Sequence, residues 1–436
     1  MSGSRERYRV RPQRTVGGEL RVPGDKSISH RAMMLGGVAD GVTEVEGFLA
    51  SADCLSTLNA MRAMGVAIDT PGAGRVRLQG AGLHGLRAAA AALDMGNAGT
   101  AMRLSMGLLA GQGFESTLIG DASLSRRPME RVAKPLRTMG ARIETTDGHA
   151  PVRVLGGALR GAEHDLSVAS AQVKSALLLA GLYAEGPTSV TEPAPTRDHT
   201  ERMLAAFGVP VQVAGPRVTV APVARLEACR IEVPGDISSA AFFLVAGALA
   251  ARQGLIIRRV GLNPTRTGVI DILRLMGADI RVHPAGQAGR EPVADIEVYA
   301  SDLHGIHIPE ALVPLAIDEF PVLFIAAAAA EGETVLSGAA ELRVKESDRI
   351  AVMAEGLAGL GVETEVYPDG LRIRGGPLSG GTIDSHGDHR IAMAFAVASL
   401  RAEGELLIQD VANVGTSFPD FPGIARGIGL EVTSET

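Results

Sequence analysis

Residues able to do chemistry gather at recurring places in this sequence. The stretch Pro23-Gly24-Asp25-Lys26-Ser27-Ile28-Ser29-His30-Arg31 stops a strand with Pro and Gly, then runs into the apolar segment 32–39. Ser27 or Ser29 is placed to cap the helix that follows. Lys26 and Arg31 are unexpected there. A helix N-terminus already carries partial positive charge, so cations beside it are unfavourable by about 0.3–1 kcal/mol each. Cations crowded at such an end fit an anion bound among them. Similar polar entries to small-residue helices follow along the chain: Asn97-Ala98-Gly99-Thr100 with Arg103, Ser170-Ala171-Gln172-Val173-Lys174, Pro234-Gly235-Asp236-Ile237-Ser238-Ser239, Asp318-Glu319, the charged run 343–349, and Asp388-His389-Arg390. Arg126-Arg127-Pro128 and Arg197-Asp198-His199 lie in loops between them. One such arginine is ordinarily a solvated loop charge, and one such aspartate an ordinary cap. Their return at one structural position asks for a ligand.

Many cations in one place imply ligands with several negative charges, such as phosphates and carboxylates. The sequence has no nucleophilic Ser or Cys constellation and no glycine-rich dinucleotide loop. His30, His199 and His389 lack metal-ligand spacing, so no metal is expected. Acid–base transfer remains, with Asp318 and Glu346 as candidate carboxylates and Lys26 as an ammonium tunable by its neighbours. The residues alone thus point to a transferase acting on multiply anionic small molecules.

The elements that must position these groups follow from the repetition. Polar helix starts at Ser27, Asn97, Ser170, Ser238, Asp318 and Asp388 are spaced by 70, 73, 68, 80 and 70 residues. A second signature shares that period: a helix end, a Gly, then a strand, as at Gly65, Gly140, Gly208, Gly277, Gly361 and Gly429. The chain therefore reads as six copies of one unit, grouped three and three. The first copy has the order strand, helix, strand, helix, strand, strand over Gly18–Val22, 27–39, 41–49, 52–64, 66–69 and 76–78. One helix of each copy is apolar nearly all round and must be buried, and the other is amphipathic. Three buried helices pointing the same way would bring three N-termini to one end of each lobe, and two facing lobes would share a cleft.

Composition agrees with a large soluble globular protein. The 436 residues are 46% hydrophobic and 21% charged, with 3% aromatics and no Trp, so the cores are built from Ala, Leu, Val and Met. A net charge of −7 without a basic stripe argues against nucleic acid as a partner. Cys54 and Cys229, far apart, fit a reducing compartment. Met1–Arg14 is polar and basic, unlike a secretory signal, and no apolar run reaches the roughly 18–20 residues of a membrane span.

Nine ordered segments carry a resemblance that covers essentially the whole chain: PGDKSISHRA (23–32), GNAGTAMR (96–103), RRP (126–128), ASAQVKS (169–175), TRDHTERM (196–203), PGDISSAA (234–241), IDEFPVL (317–323), RVKESDRI (343–350) and DHRIAMAFA (388–396). Together they resemble the 3-phosphoshikimate 1-carboxyvinyltransferase (EPSP synthase) family of enolpyruvyl transferases. The resemblance implies transfer of the enolpyruvyl group of phosphoenolpyruvate to the 5-hydroxyl of shikimate 3-phosphate, with release of phosphate. This is a step of aromatic amino-acid biosynthesis, needs no cofactor and is inhibited by glyphosate. It implies an α/β fold, a two-domain inside-out α/β barrel of six βαβαββ units around buried parallel helices. Residues 1–23 and 235–436 would form one lobe and 24–234 the other, with the active site in the cleft between them.

Carried over by motif, Lys26, Ser27, Arg31, Ser170, Gln172, Arg197 and Lys345 would hold shikimate 3-phosphate. Gly99, Arg127, Arg349 and Arg390, with Lys26, would hold phosphoenolpyruvate. Asp318 would accept the hydroxyl proton and Glu346 would manage the proton at the methylene carbon. A cytoplasmic monomer is expected, without membrane or nucleic-acid partners. The chain departs from the family pattern at three places. Ala171 stands where many members have Ser, Glu341 where others have Asn, and Gly415-Thr416-Ser417-Phe418-Pro419 lacks a Lys found before Phe-Pro in many members. Nothing at Gly99 narrows the pocket, so glyphosate is expected to fit. The alternatives are UDP-N-acetylglucosamine enolpyruvyl transferase, which uses a loop cysteine, and a non-catalytic anion-binding protein on the same scaffold.

Overall fold

The computed structural model describes residues 6–72 and 74–436, a mixed α/β fold of two compact units. One unit is Gly24–Val233 with Ala288–Glu291, and the other is the chain up to Pro23 with Pro234–Gln287 and Pro292–Thr436. Each has its own apolar core.

In the unit beginning at Gly24 the helices are α1 (Lys26–Val38), α2 (Ala52–Ala63), α3 (Gly99–Ala110), α4 (Glu130–Thr138), α5 (Ala171–Gly181) and α6 (His199–Ala206). In the other they are α7 (Ile237–Ala250), α8 (Gly268–Leu275), α9 (Phe320–Ala329), α10 (Arg349–Gly359), α11 (His389–Ala398) and α12 (Phe421–Gly427). The odd-numbered helices are the buried ones. Every residue of α7 is buried, and α3 is buried along all of its length except Thr100. A helix apolar on every side has no face for water and must be surrounded by protein. Accordingly α3 packs on both α1 and α5, and α7, α9 and α11 pack on one another. Close approach is bought with small residues: a Cβ added at Gly107 of α3 would lie 2.0 Å from the carbonyl oxygen of Ala176 in α5.

The even-numbered helices end alike. Gly65, Gly140, Gly208, Gly277, Gly361 and Gly429 all have positive φ, between 80° and 99°, two residues beyond the last helical residue. Only Gly adopts this left-handed step without penalty, and it turns the chain out of the helix.

Among the described residues, six sheets follow one plan. Val42–Glu46 pairs parallel with Arg230–Glu232 and antiparallel with Arg75–Gln79, which pairs antiparallel with Ala67–Gly72. The sheets built on Glu115–Ile119, Thr188–Thr191, Leu255–Gly261 and Leu406–Gln409 repeat that order. In the sixth, Glu333–Leu336, Gly370–Arg374 and Glu363–Tyr367 are paired, and a single parallel bridge from His307 to Val335 stands in the fourth place. Strands such as Arg75–Gln79 alternate exposed and buried residues, so one face of each sheet covers the helices.

The element order expected for the first copy is present, but its first strand is used elsewhere. Gly18–Leu20 pairs parallel with Leu255–Gly261, and Arg7–Val10 lies between Leu406–Gln409 and Val432–Glu435. The N-terminal strands thus complete sheets of the unit that contains Pro234–Gln287.

Candidate active site

In the unit beginning at Gly24, the N-terminal turns of α1, α3 and α5 are tied together by side chains. Asp25, and neither serine, caps α1: its carboxylate accepts from the Ile28 amide at 2.9 Å. Ser29 is turned away, its hydroxyl accepting from the Leu49 amide at 3.0 Å. The expected serine cap is therefore corrected, because an acidic cap offsets the two cations better than a hydroxyl does. It also leaves the Ser27 side chain outside the cap. Lys26 forms an ion pair with the nearly buried Asp53 in the first turn of α2.

Arg31 is buried, and its guanidinium donates to neutral oxygens: Nε to Thr200 Oγ1 at 2.6 Å, Nη1 to the Ser27 carbonyl at 2.9 Å and Nη2 to Ser175 Oγ at 2.8 Å. Burial lowers its pKa to about 10, and nearby Arg197 adds to the lowering while Glu201 opposes it. A buried cation without a contacting carboxylate, near a second cation, is prepared for an anion.

Ser170 caps α5, accepting from the Val173 amide at 3.4 Å. Gln172 joins α5 to α3, accepting from Arg103 Nη1 at 2.6 Å and donating to Thr100 Oγ1 at 3.0 Å. Arg127 is buried and bonded to Asn97, whose side-chain oxygen is 2.6 Å from Nη2. Gly99 lies under these arginines: a Cβ there would sit 3.1 Å from Arg127 Nη1 and 3.2 Å from Arg103 Nη1. Lys26, Ser27, Arg31, Gly99, Arg127, Ser170, Gln172 and Arg197 thus belong to one unit, Arg197 just before α6 and near enough to act on the charge of Arg31.

The other unit holds Asp318, Lys345, Glu346, Arg349 and Arg390. Arg349, only 1% exposed, is the hub. Its Nη1 is 3.3 Å from Asp318 Oδ1, its Nη2 is 2.6 Å from Glu346 Oε2, and its Nε is 2.8 Å from Asp388 Oδ2. Burial works against the Arg349 charge, but Asp388, Glu346 and Asp318 outweigh it and push the pKa up. Asp388 is buried as well, which alone would raise its pKa, yet Arg349 holds it below the usual carboxylate range. Asp388 also caps α11 through the Arg390 amide at 2.9 Å and accepts from Ser347 Oγ at 3.0 Å. Lys345 Nζ lies 3.5 Å from Asp318 Oδ1 and 3.9 Å from Glu341 Oε1. Behind them, Glu319 gathers the N-termini of α7, α9 and α11: it accepts from Ser238 Oγ and lies 3.9 Å from Arg390 Nη1 and 3.7 Å from Arg266 Nη2.

Sequence reading left several partners unassigned. They are Asp53, paired with Lys26, Asp388, paired with Arg349, and the two carboxylates of Lys174, which is buried between Glu192 and Glu201 at 2.7 Å from each. Cys54 is buried and its thiol is pushed up by burial, which makes it a poor acid for exchange with a ligand.

An α/β scaffold with six sheets on one plan, cations at helix starts and three carboxylates on one guanidinium defines an enzyme of the acid–base transfer class. The family model described as EPSP synthase (3-phosphoshikimate 1-carboxyvinyltransferase) matches residues 10–424, and the chain belongs to that family. It is similar to the 3-phosphoshikimate 1-carboxyvinyltransferase of Methylococcus capsulatus, 62% identical over 417 residues, 95% of each chain. It is 63% identical to that of Alkalilimnicola ehrlichii over 429 residues, 98% of this chain and 96% of the relative. A solved EPSP synthase structure from Acinetobacter baumannii superposes with a TM-score of 0.88 at 54% identity, covering 99% of this chain and all of that one.

Proposed function

We propose that this chain transfers the enolpyruvyl group of phosphoenolpyruvate to the 5-hydroxyl of shikimate 3-phosphate. In this reading Ser27, Arg31, Ser170, Gln172 and Arg197 hold the phosphate and ring of shikimate 3-phosphate, and Lys345 contacts the same molecule. Arg127, Arg349 and Arg390 neutralise phosphoenolpyruvate above the small Gly99, and Lys26 reaches both ligands. Asp318 takes the proton of the 5-hydroxyl as its oxygen bonds to C2 of phosphoenolpyruvate, and Glu346 delivers a proton to C3. The tetrahedral adduct then loses phosphate as the C–O bond breaks and a C3 proton returns to Glu346. Fixed cations stabilise the charge that develops, more strongly where water is excluded.

The observation that carries the reading is the pairing of Asp318 and Glu346 on one buried guanidinium, at 3.3 and 2.6 Å. That arrangement holds two acid–base groups side by side on one fixed cation. Shikimate 3-phosphate rather than a nucleotide sugar suits Lys26-Ser27 with Arg31, and the burial of Cys54 disfavours the route through a cysteine acid. The proposed setting is a cytoplasmic monomer. Two free thiols suit a reducing compartment, and among the described residues no helix is long and apolar enough to cross a membrane. The test is a coupled phosphate-release assay with shikimate 3-phosphate and phosphoenolpyruvate. Release that requires both substrates is expected, and an inactive chain would overturn the proposal.

A further inference from the structure

We infer that Lys174, with Glu192 and Thr196, is a positioning group that sets Arg197 and Arg31 for the phosphate-bearing substrate. The inference rests on the reading above and extends it to residues that touch no ligand. Lys174 sits one turn after Ser170 in α5, and its side chain is 1% exposed. Its ammonium is 2.7 Å from Glu192 Oε2 and 2.7 Å from Glu201 Oε1. Glu192 opens the segment that carries Arg197, and its other oxygen accepts from the Thr196 hydroxyl. That bond folds the segment back on the carboxylate one residue before Arg197. Glu201 lies in α6 beside Thr200, whose hydroxyl donates to Ser175 Oγ at 2.7 Å and accepts from Arg31 Nε at 2.6 Å. One network therefore runs from the Arg197 segment through Lys174 to Arg31.

Opposite charges alternate across this network. Lys174 and Arg31 face Glu192 and Glu201, and Arg197 adds a further cation that Asp25 and Glu291 help to offset at Arg31. Burial raises the Glu201 pKa, with Lys174 opposing it, and Glu201 in turn favours the charged form of Arg31. Arg31 is thereby compensated at a distance, and no carboxylate occupies the hydrogen bonds it makes to Thr200, Ser27 and Ser175. Buried ion pairs of this kind seldom out-stabilise apolar replacements, so what the set offers is geometry. The demand for geometry is real here, because Ala171 brings no hydroxyl at the start of α5 and more of the phosphate recognition falls on Arg197.

Calorimetric titration of shikimate 3-phosphate into the unaltered chain, Thr196→Val, Thr196→Ser and Lys174→Met tests this, with the KM for phosphoenolpyruvate measured alongside. Thr196→Val should weaken shikimate 3-phosphate binding roughly tenfold, as expected when a supporting contact is lost, and Thr196→Ser should restore it to within about threefold. The KM for phosphoenolpyruvate should change less than about threefold. Lys174→Met, if folded, should lose at least as much affinity as Thr196→Val. If it does not fold, the Thr196 pair decides. Unchanged affinity in Thr196→Val, or an equal rise in the phosphoenolpyruvate KM, would overturn the inference alone. Failure of the unaltered chain to bind shikimate 3-phosphate would overturn the underlying reading and the inference with it.

Discussion

Two buried guanidiniums show how surroundings divide labour between residues of one type. Arg31 is held by hydroxyls and a carbonyl, which leave its charge without a directly bonded carboxylate among the described residues. Arg349 is held by Asp318, Glu346 and Asp388, so much of its charge is spent on orienting carboxylates. The consequence can be checked at Asp318. On the proposed reaction, Asp318→Ala keeps the cations that would contact substrate and removes the proton acceptor. Turnover should fall by about 10²–10⁴, the usual contribution of a positioned general base, with both KM values within a few-fold of the parent. Steady-state kinetics with each substrate varied will show this, and a loss confined to affinity would remove Asp318 from the role of base. Residue types and order made the charged and polar groups at the helix starts legible in the sequence. Their supporting partners were not, because the contacts close over long separations: Lys26 with Asp53, Arg349 with Asp388, Lys174 with Glu192. Chain spacing carries no signal for such pairs.

Helices and their junctions show which local rules survive packing. The Gly-strand signature was readable because one chemical fact, left-handed backbone after a helix, fixes the residue at all six places. The cap of α1 was misread because Asp25, Ser27 and Ser29 can each cap, and the field of Lys26 and Arg31 selects Asp25. The same helix buries His30, whose Nδ1 is 2.7 Å from Thr57 Oγ1 in α2. Burial first, then Lys26 and Arg31, push its pKa well below the ordinary value. The folded imidazole therefore stays neutral while the unfolded one takes up a proton near pH 6.5, so stability is present above about pH 6.5 and declines below it, by up to about 1.4 kcal/mol per pH unit. Urea unfolding of the unaltered chain and His30→Gln between about pH 7 and about pH 5 should show the parent losing its advantage as pH falls. A pH-independent difference would refute the neutral imidazole. Gly107 offers a second check on packing. With a Cβ placed 2.0 Å from the Ala176 carbonyl oxygen, Gly107→Ala must push α3 from α5. The expected cost is about 1–3 kcal/mol or more, despite the better helix propensity of Ala, and thermal unfolding would detect it. A stabilised variant would mean the two helices have room to spare.

At the scale of the whole molecule, the chain begins in one unit, builds the other without interruption from Gly24 to Val233, and returns. The 70-residue rhythm made the six copies legible, but it could not say that the opening strands serve sheets whose other members come more than 230 residues later. Arg7–Val10 takes an inner place in its sheet, bonded to Leu406–Gln409 on one side and Val432–Glu435 on the other. Removing it leaves two strands without their shared partner and uncovers the aromatic cluster in which Tyr8 stacks on Phe421 at 6.4 Å between ring centroids. Open strand edges and exposed apolar surface are costly, and cooperative units unfold separately when their contacts are their own. A chain starting at Arg11 should therefore lose amide-exchange protection across α7, α9, α11 and α12 while α1, α3 and α5, in the unit with a separate core, keep theirs. Such a chain should also fail to turn over, because Asp318, Glu346 and Arg349 lie in the weakened unit. Hydrogen-exchange mass spectrometry resolved by peptide will distinguish the outcomes. Uniform loss across both sets of helices would mean that the units stand or fall together, and protection equal to the parent throughout would mean that the N-terminal strand adds nothing to the sheet it occupies.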